Sequence, residues 1–343
     1  MVKKIFLATK VYLSRDAGMK GSRGKTAFCF PGQLREKLVL EDHHPLRKDP
    51  HFKRWTEEAS KLNRFDLLRF SFRGEDTQAG LNVKLQISTY LLSMIHFYRL
   101  RAAGWIPDII AEHSMGIYAA LAASEAITFE EGLYITESIG GVLEREGTLR
   151  PGGLASIVGL PFGEIEKICS DLNDHQLCVA NYNGSMHFVL SGEEEGLEKA
   201  ISLALLRKAI SASRLPFHTA LHSPSLLSLR DVVQDILENI AIRPPKFPIL
   251  NHWTVRRLKK EEIKDFLSQE IGQPVYWDRC VERLLQEGVT QFIEVGQETT
   301  LTKLIRWIHR DAEVFSAGEH LHFPLCHSEP CPEINSGSGS ESI

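Results

Sequence analysis

The segment IIAEHSMGIYAALAA, residues 109–123, constrains the fold of this 343-residue chain more than any other stretch. An apolar run that reads as a buried strand ends in a tight turn holding Ser114, and an alanine-rich helix starts at once. Strand, sharp turn and helix in immediate succession form the layout of a nucleophile elbow in an α/β sheet. The turn lifts the serine clear of the sheet. The start of the helix offers unpaired N–H groups and a positive dipole end, which suit a developing oxyanion. On these residues alone Ser114 is equally at home as a helix N-cap. The first glycine of G-x-S-x-G is Glu112 here, while Gly116 is kept.

Around the elbow, helical and strand patterns alternate. The strand TAFCF stops at Pro31-Gly32 and presents Gln33, and Leu85 to Ala103 has apolar residues at helical spacing. Further on, GLASIVGL, a helix through Ile165 to Cys169, the strands LCVANYN and HFVLSG and a helix from Gly196 to Ala209 outline a βαββα run. The chain returns with PFPILN, a helix from Pro274 to Gln286, the strand TQFIEVG and a helix from Leu301 to His309. The pattern predicts an α/β protein: a hydrolase-like parallel-sheet core with a nucleophile elbow and an inserted small ferredoxin-like subdomain. The expected boundaries are an N-terminal extension over 1–24, a core subdomain over 25–150 and 217–315, the small subdomain over 151–216 and a flexible Gly/Ser-rich tail over 322–343. The link AGMKGSRGK makes Met19 an alternative start to Met1.

Charge excludes some partners. A net charge of -4 with 24% charged residues gives no basic surface for nucleic acid, so a small molecule or a protein is the expected partner. The six cysteines form no zinc-type pairs and read as reduced thiols of a cytoplasmic protein. Lys10 interrupts the apolar start, and Arg99 and Arg101 close the most apolar helix, so no membrane association is expected. His320, His322, Cys326, His327 and Cys331 match no common metal template, and no metal site is expected. A base for Ser114 must come from elsewhere in the chain, and FHTALHSPSL offers two candidates, His218 and His222.

FCFPGQ, EHSMG, LHSPSL, VANYNGSMHFVLSG, QPVYW and FIEVGQETTLTKLI follow one another between about Lys25 and Ile308. In these segments and their order the chain resembles the malonyl-CoA:acyl carrier protein transacylases and the acyltransferase domains of polyketide synthases. The resemblance implies Ser114 as nucleophile, His222 rather than His218 as base, and the N–H groups of Gln33 and Met115 as the oxyanion hole. It implies that the main-chain carbonyl of Gln273 orients the histidine and that His113 supports the elbow. Gln86 and the stretch Thr219, Ala220 and Leu221 fall at the family's substrate pocket. The implied substrates are an acyl-CoA and a phosphopantetheine thiol. The implied partner is an acyl carrier protein in fatty acid or polyketide synthesis, with no permanently bound cofactor.

Two departures bear on selectivity. Leu34, Arg35 and Glu36 stand in place of G-S-Q after the glutamine, and Ser138, Ile139 and Gly140 replace the family's A-R-G triplet. The arginine of that triplet pairs with a free carboxylate, and isoleucine has neither charge nor donor. Arg145 lies almost two helical turns further on. A monocarboxylic acyl group therefore fits the pocket position at Ile139 better than malonyl. A hydrolase that clears acyl groups from carrier proteins and an inactive carrier-binding relative stay open as alternatives.

Overall fold

The structure is a computed structural model that describes residues 24–37, 40, 44–73 and 80–319. Nearly all of the expected extension, the tail and the His320 to Cys331 cluster lie outside the described residues.

In β1 (Lys25–Phe30) every residue after Lys25 is buried, the mark of a strand covered on both faces. The chain continues through α1 (Pro50–Leu62), the short β2 (Phe65–Asp66) and β3 (Ser71–Phe72), α2 (Leu81–Ala102), β4 (Ile109–Glu112), α3 (Gly116–Ala123) and α4 (Phe129–Leu149). Next come β5 (Gly152–Val158), α5 (Phe162–Leu172), β6 (Cys178–Gly184), β7 (His187–Glu193), α6 (Glu194–Leu206) and β8 (Ser211–Arg214). α7 (Arg230–Leu237), β9 (Ile249–Leu250), α8 (Ile263–Gln269), α9 (Trp277–Gln286), β10 (Val289–Glu294), α10 (Thr300–Ile308) and β11 (Glu313–Ser316) complete it.

The main sheet has the order β11-β10-β1-β4-β9, parallel throughout. Side-chain alternation sorts its residues between two cores. Phe28, Phe30 and Ile110 face a large core with α2, α3 and α4, while Ala27, Cys29 and Ala111 face Trp277, Leu301 and Ile305 of α9 and α10. Each fully buried side chain of this size contributes about 1.5–3 kcal/mol. α4 starts at a capping box, in which Thr128 Oγ1 accepts from Glu131 N at 3.0 Å and Glu131 Oε2 accepts from Thr128 N at 2.7 Å.

The second sheet, β6-β7-β5-β8, is antiparallel. α5 and α6 cover one face through Ile165, Ile168 and Leu197, and the other face turns Leu154 and Val189 toward Phe217. Val275 joins the two parts: its N–H donates to Ala180 O and its carbonyl accepts from Tyr182 N, each at 2.8 Å. This extended pairing is why the helix expected from Pro274 starts only at Trp277. β8 and β11 were not anticipated; SASR is almost free of apolar residues, and EVFS is a four-residue edge strand. Among the described residues no helix is long and apolar enough to cross a membrane.

Candidate active site

β4 lies between β1 and β9 and delivers the elbow at the carboxyl end of the sheet. His113 N donates to Phe30 O at 3.0 Å, the last tie between the strand and its neighbour. The chain then reverses through Ser114 at φ 57°, a left-handed conformation that is strained for any residue with a Cβ. Gly116 N to His113 O at 3.1 Å and Ile117 N to Ser114 O at 3.2 Å begin α3. A Cβ on Gly116 would lie 2.4 Å from Phe30 O and 2.8 Å from Pro31 O, so the turn fits under β1 only with glycine there.

His222 Nε2 lies 2.7 Å from Ser114 Oγ. Its Nδ1 faces two carbonyl oxygens, Gln273 O at 2.9 Å and Glu270 O at 3.3 Å. Carbonyls only accept, so Nδ1 carries the proton and Nε2 presents its lone pair to the serine hydroxyl. Burial, and then the neighbouring His252, lower the pKa of His222 to about 3, which keeps the ring neutral. His218 is exposed and does not reach the cavity.

Ser114 opens onto a cavity lined by Gln33, Gln86, Leu143, Leu154, Phe217 and Leu221, among others. Among the described residues, neither Gln33 N nor Met115 N donates to a protein acceptor, and both residues border this space. Gln86 is buried, with an Oε1 that has no hydrogen-bond partner. His113 accepts or donates at Nε2 with Asn183 Oδ1 (3.1 Å) and Asn181 Nδ2 (3.3 Å), both from β6, so the small sheet holds the residue before the nucleophile. Burial lowers the pKa of His113 to about 4.

Other expected pocket residues sit differently. Ile139 is fully buried in the large core and does not line the cavity; Leu143, one turn later, does. An apolar side chain at 139 gains more from packing there than from facing a wet cavity. Thr219 lines a small adjoining cavity with Gln33, Gln86 and Leu221 while its hydroxyl donates to Leu143 O at 3.0 Å, and Ala220 packs toward Gly152. Arg145 is exposed, and among the described residues the one guanidinium on the cavity wall is that of Arg35, which is exposed.

Glu112 does not face the nucleophile. It is fully buried, and its carboxylate accepts from His252 N at 2.9 Å and pairs with His252 Nδ1 at 2.6 Å. Neither His252 nor Glu270 was singled out in the sequence, and nor were Asn181 and Asn183. The donor atoms of His222, His252 and Glu270 lie within 4.8 Å of one another. Proximity does not make them a metal site, because both ring nitrogens of His222 are already engaged.

The family model described as acyl transferase domain matches residues 76–317. The polyketide biosynthesis malonyl CoA-acyl carrier protein transacylase PksC of Bacillus subtilis (strain 168) is 27% identical over 288 residues, covering 83% of this chain and 98% of the relative. The solved malonyl CoA-acyl carrier protein transacylase of Coxiella burnetii superposes with a TM-score of 0.79 at 26% identity, covering 87% of this chain and 95% of that one. A malonyl-transacylase solved in complex with a type II polyketide synthase acyl-carrier protein has a TM-score of 0.76 at 25% identity, covering 85% and 94%.

Proposed function

Since the chain belongs to the acyl transferase domain family, we propose that it moves an acyl group from CoA to the phosphopantetheine thiol of an acyl carrier protein, through an ester on Ser114, in fatty acid or polyketide synthesis. The observation that carries this reading is the 2.7 Å contact between Ser114 Oγ and a neutral His222 at the mouth of an elbow. His222 Nε2 takes the hydroxyl proton as Oγ adds to the thioester carbonyl. The free N–H groups of Gln33 and Met115 receive the oxyanion. Collapse breaks the C–S bond, and His222 returns its proton to the departing CoA sulfur. The carrier thiol then repeats the sequence in reverse. The Gln273 carbonyl fixes the tautomer in place of an acidic triad member. The named relatives act on malonyl CoA and acyl carrier protein, which supports this class of donor and acceptor.

Selectivity follows from the missing clamp. With Ile139 packed in the core and Arg35 exposed, a malonyl carboxylate would shed water against an apolar wall without a bidentate partner. We therefore assign a monocarboxylic acyl group, acetyl or longer, as the cargo. Intact-mass spectrometry with acetyl-, propionyl-, butyryl- and malonyl-CoA, followed by carrier protein, tests both statements. The expected result is an adduct from the uncharged donors that Ser114→Ala abolishes and that moves to the carrier. Far faster acylation from malonyl-CoA would overturn the selectivity. Release of free acid without carrier loading would replace transfer by hydrolysis.

A further inference from the structure

Glu112 and His252 are 140 positions apart, are both fully buried, and meet through two hydrogen bonds. A buried carboxylate is costly unless it is paired and hydrogen-bonded, as Glu112 is by His252. The ring of His252 continues past Glu112. Its Nε2 has no hydrogen-bond partner and lies 3.8 Å from Glu270 Oε2, and its centroid is 5.9 Å from that of His222. Glu270 is held on its other side by Tyr118 Oη of α3, at 2.9 Å. Glu270 also opens the turn that grips the base. Glu270 O and Gln273 O take the Nδ1 proton of His222, and Ile271 O accepts from His222 N at 2.8 Å.

We propose that His252, paired with Glu112 and set against Glu270, is a positioning residue for His222, tying the elbow to the turn whose carbonyls orient the base and keeping that base unprotonated in mildly acidic solution. The inference rests on the reading of His222 as the base. The tie joins the end of β4, the turn after β9 and the turn after α8, with the Glu112–His252 pair as its charged link and Glu270 set against the far ring nitrogen. If it is cut, Glu270 is left with Tyr118 alone, and the carbonyl pair behind His222 loses one side of its support.

The charge has a definite sign. Burial works against a proton on His252, but the carboxylates of Glu112 and Glu270 outweigh it and raise its pKa above the ordinary value. The groups that face His252 are Glu112, Glu270, His222 and, further off, His113, with Phe266 against its ring and the Tyr118 hydroxyl and the Cys280 thiol on the two carboxylates. The ring of His222 is faced by Ser114, His252, Glu270 and His113, and its main-chain carbonyl accepts from Cys178 Sγ. A protonated His252 beside His222 disfavours a second positive charge there. Removing that proton therefore moves the acid limb of kcat/KM, which reports the free base, to higher pH.

Three variants test this: Glu112→Gln, His252→Gln and the two combined, with rates measured from pH 3 to 8 next to thermal stability. All three are expected to raise the acid limb. The rate at neutral pH should fall by up to about 10²-fold, the cost of a misplaced reacting group. His252→Gln, which strands a buried carboxylate, should lose more stability than the double variant, because the two residues act as a pair. Glu112→Gln keeps volume and both hydrogen-bond positions and gives the pH reading even if His252→Gln does not fold. An acid limb unmoved in Glu112→Gln, with a wild-type rate, would overturn the inference and leave the pair as packing. Loss of the base reading itself would show separately, as wild-type acylation in His222→Ala.

Discussion

His222 Nε2 is 2.7 Å from Ser114 Oγ, whereas His218, four residues earlier, is exposed and lends only its carbonyl, to Gly152 N at 3.3 Å. His222→Ala is accordingly expected to lower acyl transfer by about 10²- to 10⁴-fold, the contribution of a placed base. His218→Ala should stay near wild type. Single-turnover acylation of Ser114 checks both, and the opposite ranking would move the base to His218. His222 could be read from the Ser-Pro that follows it, because a motif keeps its residues together in the chain. Asn181 and Asn183 were within reach of the same reading: as alternate residues of a strand they share a face, and that face holds His113. His252 and Glu270 were not. Their link to Glu112 and His222 runs through buried side chains from distant segments, and no local pattern records it.

The elbow works as an element because β1, β4 and α3 converge on Gly116. Its missing Cβ is the gap through which Phe30 O and Pro31 O pass, and both are backbone atoms that cannot rotate aside. Gly116→Ala is therefore expected to push the end of β1 away from α3. Overpacking of this kind costs about 1–3 kcal/mol, and it displaces Gln33, three residues beyond Phe30, from the developing oxyanion. Thermal melting and the acylation rate should both fall; an unchanged rate would mean that the Gln33 N–H does not serve the reaction. The sequence carried the strands with long apolar runs, and the helices read from Leu85, Gly196, Pro274 and Leu301 to within a few residues, but not α1 or α7. It did not carry β8 or β11, since SASR and EVFS are short and take their conformation from the neighbours they pair with. Nor did it carry the direction of Ile139. Position on a helix was legible, but whether that face meets the core or the cavity depends on where α2 and the small sheet lie.

At the scale of the whole molecule, buried ionisable groups make stability depend on pH in a calculable direction. Burial lowers the pKa of His96, His113 and His187 to about 4 and that of His222 to about 3. A histidine held below its unfolded value of 6.5 leaves stability intact above that pH. As the pH falls, the unfolded chain takes a proton that the folded one refuses, and stability is lost until the pH passes the folded value. Glu270 and Glu294 act in the opposite sense. Burial raises each to about 7, so their contribution is present below 4.5 and is lost as the pH rises through 7. Between pH 4.5 and 6.5 the four histidines outnumber the two carboxylates. The unfolded state then binds roughly two more protons than the folded state, and stability falls by roughly 2–3 kcal/mol per pH unit on acidification. The shift of His51 adds to that slope, and those of Glu137, Asp278 and His252 reduce it. Thermal melting from pH 6 down to 4.5 is expected to show a steep, continuous drop in Tm. His187→Gln, which removes one such group on the cavity wall, should flatten it. A Tm that held level or rose over this range would mean that the carboxylates dominate and that the histidines are hydrated in the folded protein.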